Sequence, residues 1–343
     1  MNGLICATAP RLGRRQFLGS MIAALAATWA HGQTPRRFRI AFANINEEPS
    51  VHIEGLGFTG ADVRRSFELA ARTLPVEMIY YDNGGDGERA LANAADAIAR
   101  KVDLYIAYCA DQDANAEIAR KMQSAGIPVL AVNDPVPGAP LYAADNVAAG
   151  RIAGSTLGEF ARENWSDQVV LAVIAGDLGD PAPYQADRVK GITEGLNDYL
   201  ADSAVTMLDT SGNPVRLEGL LAKFLASRTG RRVLISTLDD PTALAAKAAV
   251  ERAGRTSDCV VVGLGLDRSI HGGASEKKEI DPNNRGSIVL GSVAFYLDRY
   301  GYEVLPLALK MLGGGDVPPL TRTRHVLVSS RNVFTEYPPT DMN

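Results

Sequence analysis

From Phe38 onward, short runs rich in Val, Ile and Leu alternate with longer segments whose apolar residues recur at helical spacing. The runs are FRIAFANI, VEMIYY (76–81), DLYIAYC (103–109), IPVLAV (127–132), VVLAVIA (169–175), AVTML (204–208), RVLIS (232–236), CVVVG (259–263), SIVLG (287–291) and HVLVS (325–329). Most lack strict apolar–polar alternation, which predicts strands covered on both faces. Between them Leu91, Ala95 and Ile98 share one helical face, as do Ile118, Met122 and Ala125. Leu217, Leu220, Leu221 and Phe224 repeat the pattern, and Leu305, Leu309 and Leu312 close it. Gly126, Gly254 and Gly313 stand where helices are expected to end. Strand and helix thus alternate throughout, which predicts an α/β fold of doubly wound parallel sheets. Near Asp145 the loop-rich NDPVPGAPLYAADN gives way to the helical VAAGRIAGSTLGEFARENW, so the chain divides into two similar halves.

Composition narrows the class. The 343 residues are 46% hydrophobic and 22% charged, which is the profile of a globular protein too long for one core. A net charge of -5 with no concentrated basic block argues against a nucleic-acid surface. Residues 1–33 differ from the rest: GRRQFLG sets a twin arginine, Arg14 and Arg15, before the apolar stretch Met21 to Trp29. Small residues follow where a peptidase could cut, after Ala30 or Gly32. This reads as an export signal, of the twin-arginine type or an ordinary secretory one, and the apolar stretch is too short to cross a bilayer. Cys6 falls in that signal; Cys109 and Cys259 border apolar runs and read as buried free thiols rather than a disulfide. The four histidines are scattered and form no metal-ligand spacing.

In open parallel sheets, ligands bind beyond the carboxyl ends of the strands. The loops there are unusually polar, supplying Asn44, Asn46, His52 and Phe58 after the first strand and Asp111 after the third. Asn133 and Asp134 follow the fourth; Asp239, Asp240, Asp267 and Ser292 follow strands of the second half. Singly these are ordinary cap and turn residues, but together they recur on strand ends in both halves. Arg188 lies in DPAPYQADRVKG, where a helix starting near Pro181 or Pro183 buries Val189, Ile192 and Leu196. Helical side chains lean toward the N-terminus, so Arg188, beside that stripe, reaches back toward the preceding strand end while Asp187 points to solvent.

The segments IPVLAVND, ADNVAAGRIAGSTL, VVLAVIAGDLGDPAPYQADRVKGITEGL, STLDDPTALAAKAAVERAG, VVVGLGLD and GGDVPP resemble the type I periplasmic binding proteins, specifically the ribose-binding-like sugar receptors of ABC importers, over about residues 37–330. The resemblance implies two lobes, residues 36–144 plus 292–322 and 145–291 plus 323–343, joined by a three-segment hinge with a ligand held between them. It makes Arg188 the clamp on ligand hydroxyls and matches Asp134, Asp239 with Asp240, and Asp267 to the family's polar positions. Pro135 stands where the family has an arginine, Ser292 where ribose receptors have Gln, and the paired aromatics after the first strand are replaced by a single delayed Phe58. These departures point away from ribose. Carboxylates accept from adjacent hydroxyls and Arg donates from a planar fork, which suits a neutral sugar or polyol better than an anionic sugar phosphate. Tyr184, Phe58 and Tyr108 are candidates to pack on sugar C–H groups. The expected partner is a membrane permease of an ABC importer, with no cofactor, no metal and no nucleic acid, for a monomer exported to the periplasm.

Other functions leave weaker marks. A receptor feeding a sensor kinase or chemoreceptor has the same sequence features. For an exported enzyme, Gly263 and Gly265 lack the third glycine of a dinucleotide loop, and neither a G-x-S-x-G elbow nor a P-loop occurs. A repressor of this fold would need a helix-turn-helix where the export signal stands.

Overall fold

All ten apolar runs contain strands; the central ones are buried on both faces, whereas β2 and β7 at the sheet edges are only partly covered and the last run yields a two-residue strand. The computed structural model describes residues 37–337 apart from 167, 201–204, 272–278, 282–283 and 285, so the export signal expected over 1–33 lies outside the described residues. The first sheet contains β1 (Phe38–Asn44), β2 (Val76–Asp82), β3 (Leu104–Ala107), β4 (Val129–Val132), β5 (Leu141–Ala143) and β11 (Leu320–Arg322), in the order β11-β5-β4-β3-β1-β2. The second contains β6 (Val170–Gly176), β7 (Val205–Asp209), β8 (Arg232–Thr237), β9 (Cys259–Gly265), β10 (Val289–Ala294) and β12 (Leu327–Val328), in the order β12-β10-β9-β8-β6-β7. Every pairing is parallel except β10 with the two-residue β12. This is the α/β, two-lobed type I periplasmic binding protein fold, with strand order reversing at β1 in one lobe and at β6 in the other.

β5 and β11 have no counterpart among the apolar runs. Each is three residues long and flanked by Pro or Gly, too short for any period to show.

Helices α1 (Gly60–Ala71), α2 (Gly87–Ala99), α3 (Gln112–Ala125), α4 (Asn146–Asn164), α5 (Pro183–Asn197), α6 (Arg216–Ala226), α7 (Asp240–Arg252) and α8 (Tyr300–Leu312) cover the sheets. Two of the expected stripes are rotated. α2 buries Ala90, Ala94 and Ala97 and exposes Ala95, while α3 buries Ile118 and Met122 and exposes Ala125. Small alanines let α2 lie close to the sheet, so the wider Leu91 and Ile98 flank the contact instead of forming it.

α4 and α5 touch backbone to backbone. Gly150 and Gly154 on one helix, and Gly191 and Gly195 on the other, leave no room for a β-carbon: each would overlap a backbone carbonyl of the facing helix. The axis of α5 is thereby fixed on the second sheet, which α4 also covers.

The chain passes between the lobes at Ala143 to Asn146, at Ala294 to Tyr300 and at Arg322 to Leu327. His325, on the third passage, joins all three. Its Nε2 accepts the Asp145 N–H at 3.0 Å, which puts the ring proton on Nδ1, 2.9 Å from the Ala294 carbonyl. Burial lowers the pKa of that ring, in keeping with a neutral imidazole that needs one acceptor nitrogen. Cys109 and Cys259 are buried free thiols, and among the described residues no helix is long and apolar enough to cross a membrane.

Candidate functional site between the lobes

α5 begins sharply, with Pro183 in its first turn and the Gln185 side chain accepting the Ala182 N–H at 2.8 Å. One turn on, Arg188 is wholly buried, on the same stripe as Ile192 and Leu196, while Asp187 and Lys190 are exposed. The guanidinium lies between two rings, 5.1 Å from the centre of Tyr184 and 4.7 Å from that of Phe295. Its Nε donates to Asn146 Oδ1 at 2.8 Å and its Nη1 to the Glu54 backbone carbonyl at 3.0 Å.

Glu54 comes from the opposite lobe, out of the loop that leaves β1. The Asn44 amide closes the base of that loop on the Gly60 carbonyl (2.8 Å) and Glu47 (3.1 Å), and a Thr59–Asp62 capping box restarts the chain as α1. Within the loop Ile53, Leu56 and Phe58 are buried, and the Ile53 N–H bonds the Phe58 carbonyl at 2.8 Å. These three apolar anchors leave Glu54, at φ 53°, facing the second lobe. A left-handed glutamate costs on the order of 1 kcal/mol, so surrounding contacts must hold it there. Gly57 sits so tightly on Asp267 that a β-carbon would overlap the carboxylate.

Around the Glu54 carboxylate the two lobes meet. Oε1 accepts from Tyr108 Oη at 2.8 Å and from Asn133 Nδ2, whose amide also lies 3.3 Å from the Tyr300 hydroxyl. Oε2 lies 3.8 Å from Arg188 Nη2. Both of these last atoms are buried and neither has a hydrogen-bond partner. Burial raises the Glu54 pKa, and Arg188 with the bonds from Tyr108 and Asn133 opposes the rise. Asp134, next along, is pushed up to about 7 by burial and by Glu54.

The remaining candidates divide by what already holds them. Asp111 caps α3 by accepting the Ala114 N–H at 2.9 Å and is exposed; Asp239 caps α7 through Thr242 N at 2.7 Å and Thr242 Oγ1 at 2.8 Å. Ser292 donates to Asp240 at 2.6 Å, and Asp240 in turn accepts the Asp267 N–H at 2.8 Å. Asp267 accepts from Ser269, Asn46 accepts the Glu48 N–H in a turn, and Phe58 is core. The structure therefore gathers Asn133, Asp134, Tyr184 and Arg188 around Glu54. It engages Asn44, Asn46, Phe58, Asp111, Asp240, Asp267 and Ser292 in caps, turns and packing. Glu54, Asn146 and Tyr300 were not among the sequence candidates. The one signal for Glu54 was the spacing of Ile53, Leu56 and Phe58, which marks a loop with a buried side and so a polar residue carried inward with it.

Known proteins resemble this chain at the level of family and fold. A family model described as a periplasmic binding protein domain matches residues 56–283. Among solved structures, an ABC transporter periplasmic solute-binding protein from Actinobacillus succinogenes with bound D-allose superposes with TM-score 0.66 at 16% identity, over 87% of this chain and 100% of that one. An ABC transporter solute-binding protein from Bacillus halodurans with bound myo-inositol gives 0.61 at 19%, over 91% and 100%. The fructose-binding periplasmic domain of a hybrid two-component system gives 0.61 at 18%, over 89% and 94%. No curated protein matches the chain by sequence.

Proposed function

Because the chain belongs to the periplasmic binding protein family, whose members bind rather than catalyse, we propose that it captures a neutral sugar or polyol between its lobes and delivers it to the permease of an ABC importer. The observation that carries this reading is the bare donor on Arg188 beside the bare acceptor on Glu54, at the meeting of strand ends from both lobes. A hydroxyl is the group that satisfies both, donating to one and accepting from the other. Allose and inositol in two structural neighbours belong to the same chemical class. In this reading residues 36–144 plus 295–322 close against 145–294 plus 323–343, the break expected at 292 falling instead after β10, which ends at Ala294 in the second sheet, and Asp239 and Tyr184 flank the ligand from the second lobe. The protein works outside the cytoplasm as a monomer, exported by the twin-arginine route that Arg14 and Arg15 suggest.

A second reading, a receptor that feeds a sensor kinase, is supported by the fructose-binding two-component neighbour. It predicts the same ligand and a different partner. A thermal-shift panel of pentoses, hexoses, deoxy-sugars and polyols on the mature protein tests what the two share. A true ligand at 100 times its Kd should add about 2.7 kcal/mol of stability, and Arg188→Ala should lose the shift while remaining folded. A flat response across the panel overturns the sugar reading.

A further inference from the structure

We infer that Glu54 sets the charge selectivity of the cleft: paired with Arg188 across the lobes, it admits ligands that present a hydroxyl there and refuses those that present a carboxylate or phosphate. The inference rests on the sugar or polyol reading above and assigns a role to a residue outside the motifs that suggested it.

Arg188 places a guanidinium in the cleft, and alone it would be an anion site, a planar fork suited to a carboxylate. Two of its nitrogens are already occupied, by Asn146 and by the Glu54 carbonyl. The third, Nη2, points toward Glu54 Oε2 at 3.8 Å, too long for a hydrogen bond and short enough that one oxygen atom could sit about 2.8 Å from each. Both side chains are at least nine-tenths buried. An oxygen with one proton satisfies both atoms at once. A ligand carboxylate would satisfy Arg188 but face Glu54 Oε2 with no proton to give, two like charges in a site shielded from water.

The loop geometry gives Glu54 little freedom to withdraw. Ile53 and Leu56 are buried on either side of it, Gly57 is pressed onto Asp267, and Tyr108 and Asn133 hold Oε1. The carboxylate is therefore a fixed part of the recognition surface.

The test measures Kd for matched probes, D-glucose with D-glucuronate and D-galactose with D-galacturonate, together with D-allose and myo-inositol, on the mature protein, Glu54→Gln and Glu54→Asp. The wild type is expected to bind at least one neutral probe and to prefer it over the matching acid by about 100-fold or more. In Glu54→Gln the neutral probe should weaken by no more than about tenfold, and the acid-to-neutral preference should shift toward the acid by about 30-fold, whereas Glu54→Asp should keep the wild-type preference. Ligand-free melting of each variant confirms that it is folded. An unchanged acid-to-neutral ratio in Glu54→Gln overturns the inference alone. So does tighter binding of the neutral probe in that variant, which would make Glu54 a competitor for Arg188. No response of the wild type to any neutral probe overturns the sugar reading and this inference together.

Discussion

The connections that follow β1 and β6 hold equivalent places in the two lobes, since each leaves the strand where the sheet order reverses. After β6, residues 177–182 run directly into α5, steadied by Asp209 accepting the Leu178 N–H at 2.9 Å. After β1, residues 45–59 make a long excursion before α1 begins. The short connection delivers Arg188 from a helix, whose period dictates the direction of every side chain. The long one delivers Glu54 from a loop, whose direction depends on three buried apolar anchors and on contacts with the other lobe. One lobe's contribution is set locally; the other's is held by its own lobe through Tyr108 and Asn133 and by the second lobe through Arg188 and Asp267.

The contrast breaks most completely if the long loop cannot seat. Gly57→Val would force a branched side chain into the Asp267 carboxylate, and a cost of about 3 kcal/mol is expected, together with new protease cleavage within residues 45–59. Urea unfolding and limited proteolysis read both, and a variant of wild-type stability would mean the loop does not depend on the second lobe.

Removing the loop's partner on the helix is the next largest change. Arg188→Ala leaves Glu54 buried without its cation, at a cost of about 3 kcal/mol at pH 8. The sign with pH follows from the raised Glu54 pKa, which rises further when Arg188 is gone. The variant's folded state then holds a proton its unfolded state releases, so its deficit should shrink as pH falls toward 5. Melting at pH 8, 6.5 and 5 tests this, and a deficit constant with pH would show that Glu54 is not the charge left stranded.

Asp134 sharpens the contrast at lower energy. Its folded pKa of about 7 exceeds the ordinary 3.8, so the stability tied to its bound proton is fully present below about pH 4 and is lost as pH rises through 7. Asp134→Asn should therefore stabilise the ligand-free protein by on the order of 2 kcal/mol at pH 8 and by nothing near pH 4. The smallest effect belongs to a residue outside the contrast. Asp111→Ala should lose a helix cap worth about 1 kcal/mol and leave sugar affinity unchanged.

Legibility in the sequence follows the same division. Ten strands were readable because each lies in an apolar run, buried on both faces at the sheet centres and partly covered at the edges, and β5 and β11 were not because three residues show no pattern. Arg188 was readable because the spacing from Val189, Ile192 and Leu196 fixes its angle on the helix, although the structure puts it on the buried stripe and not beside it. For Asp111 and Asp239 the sequence does not separate the two roles, because a carboxylate that caps a helix and one that binds a hydroxyl are the same residue at the same strand end. For Glu54 the neighbours Ile53, Leu56 and Phe58 mark only a loop with a buried side, and the role of the carboxylate was not legible, since its partners Tyr108, Asn133 and Arg188 lie far along the chain and in two lobes.

The glycines of α4 and α5 bear on how such a protein tolerates change. Gly150, Gly154, Gly191 and Gly195 carry no chemistry, yet they fix the distance between α4 and the helix that carries Arg188. A single methyl group at any of them would act as a shim, lifting the helix and moving the guanidinium with it. Drift in the sequence can thus alter ligand affinity from behind the site, through residues that no inventory of polar groups would include.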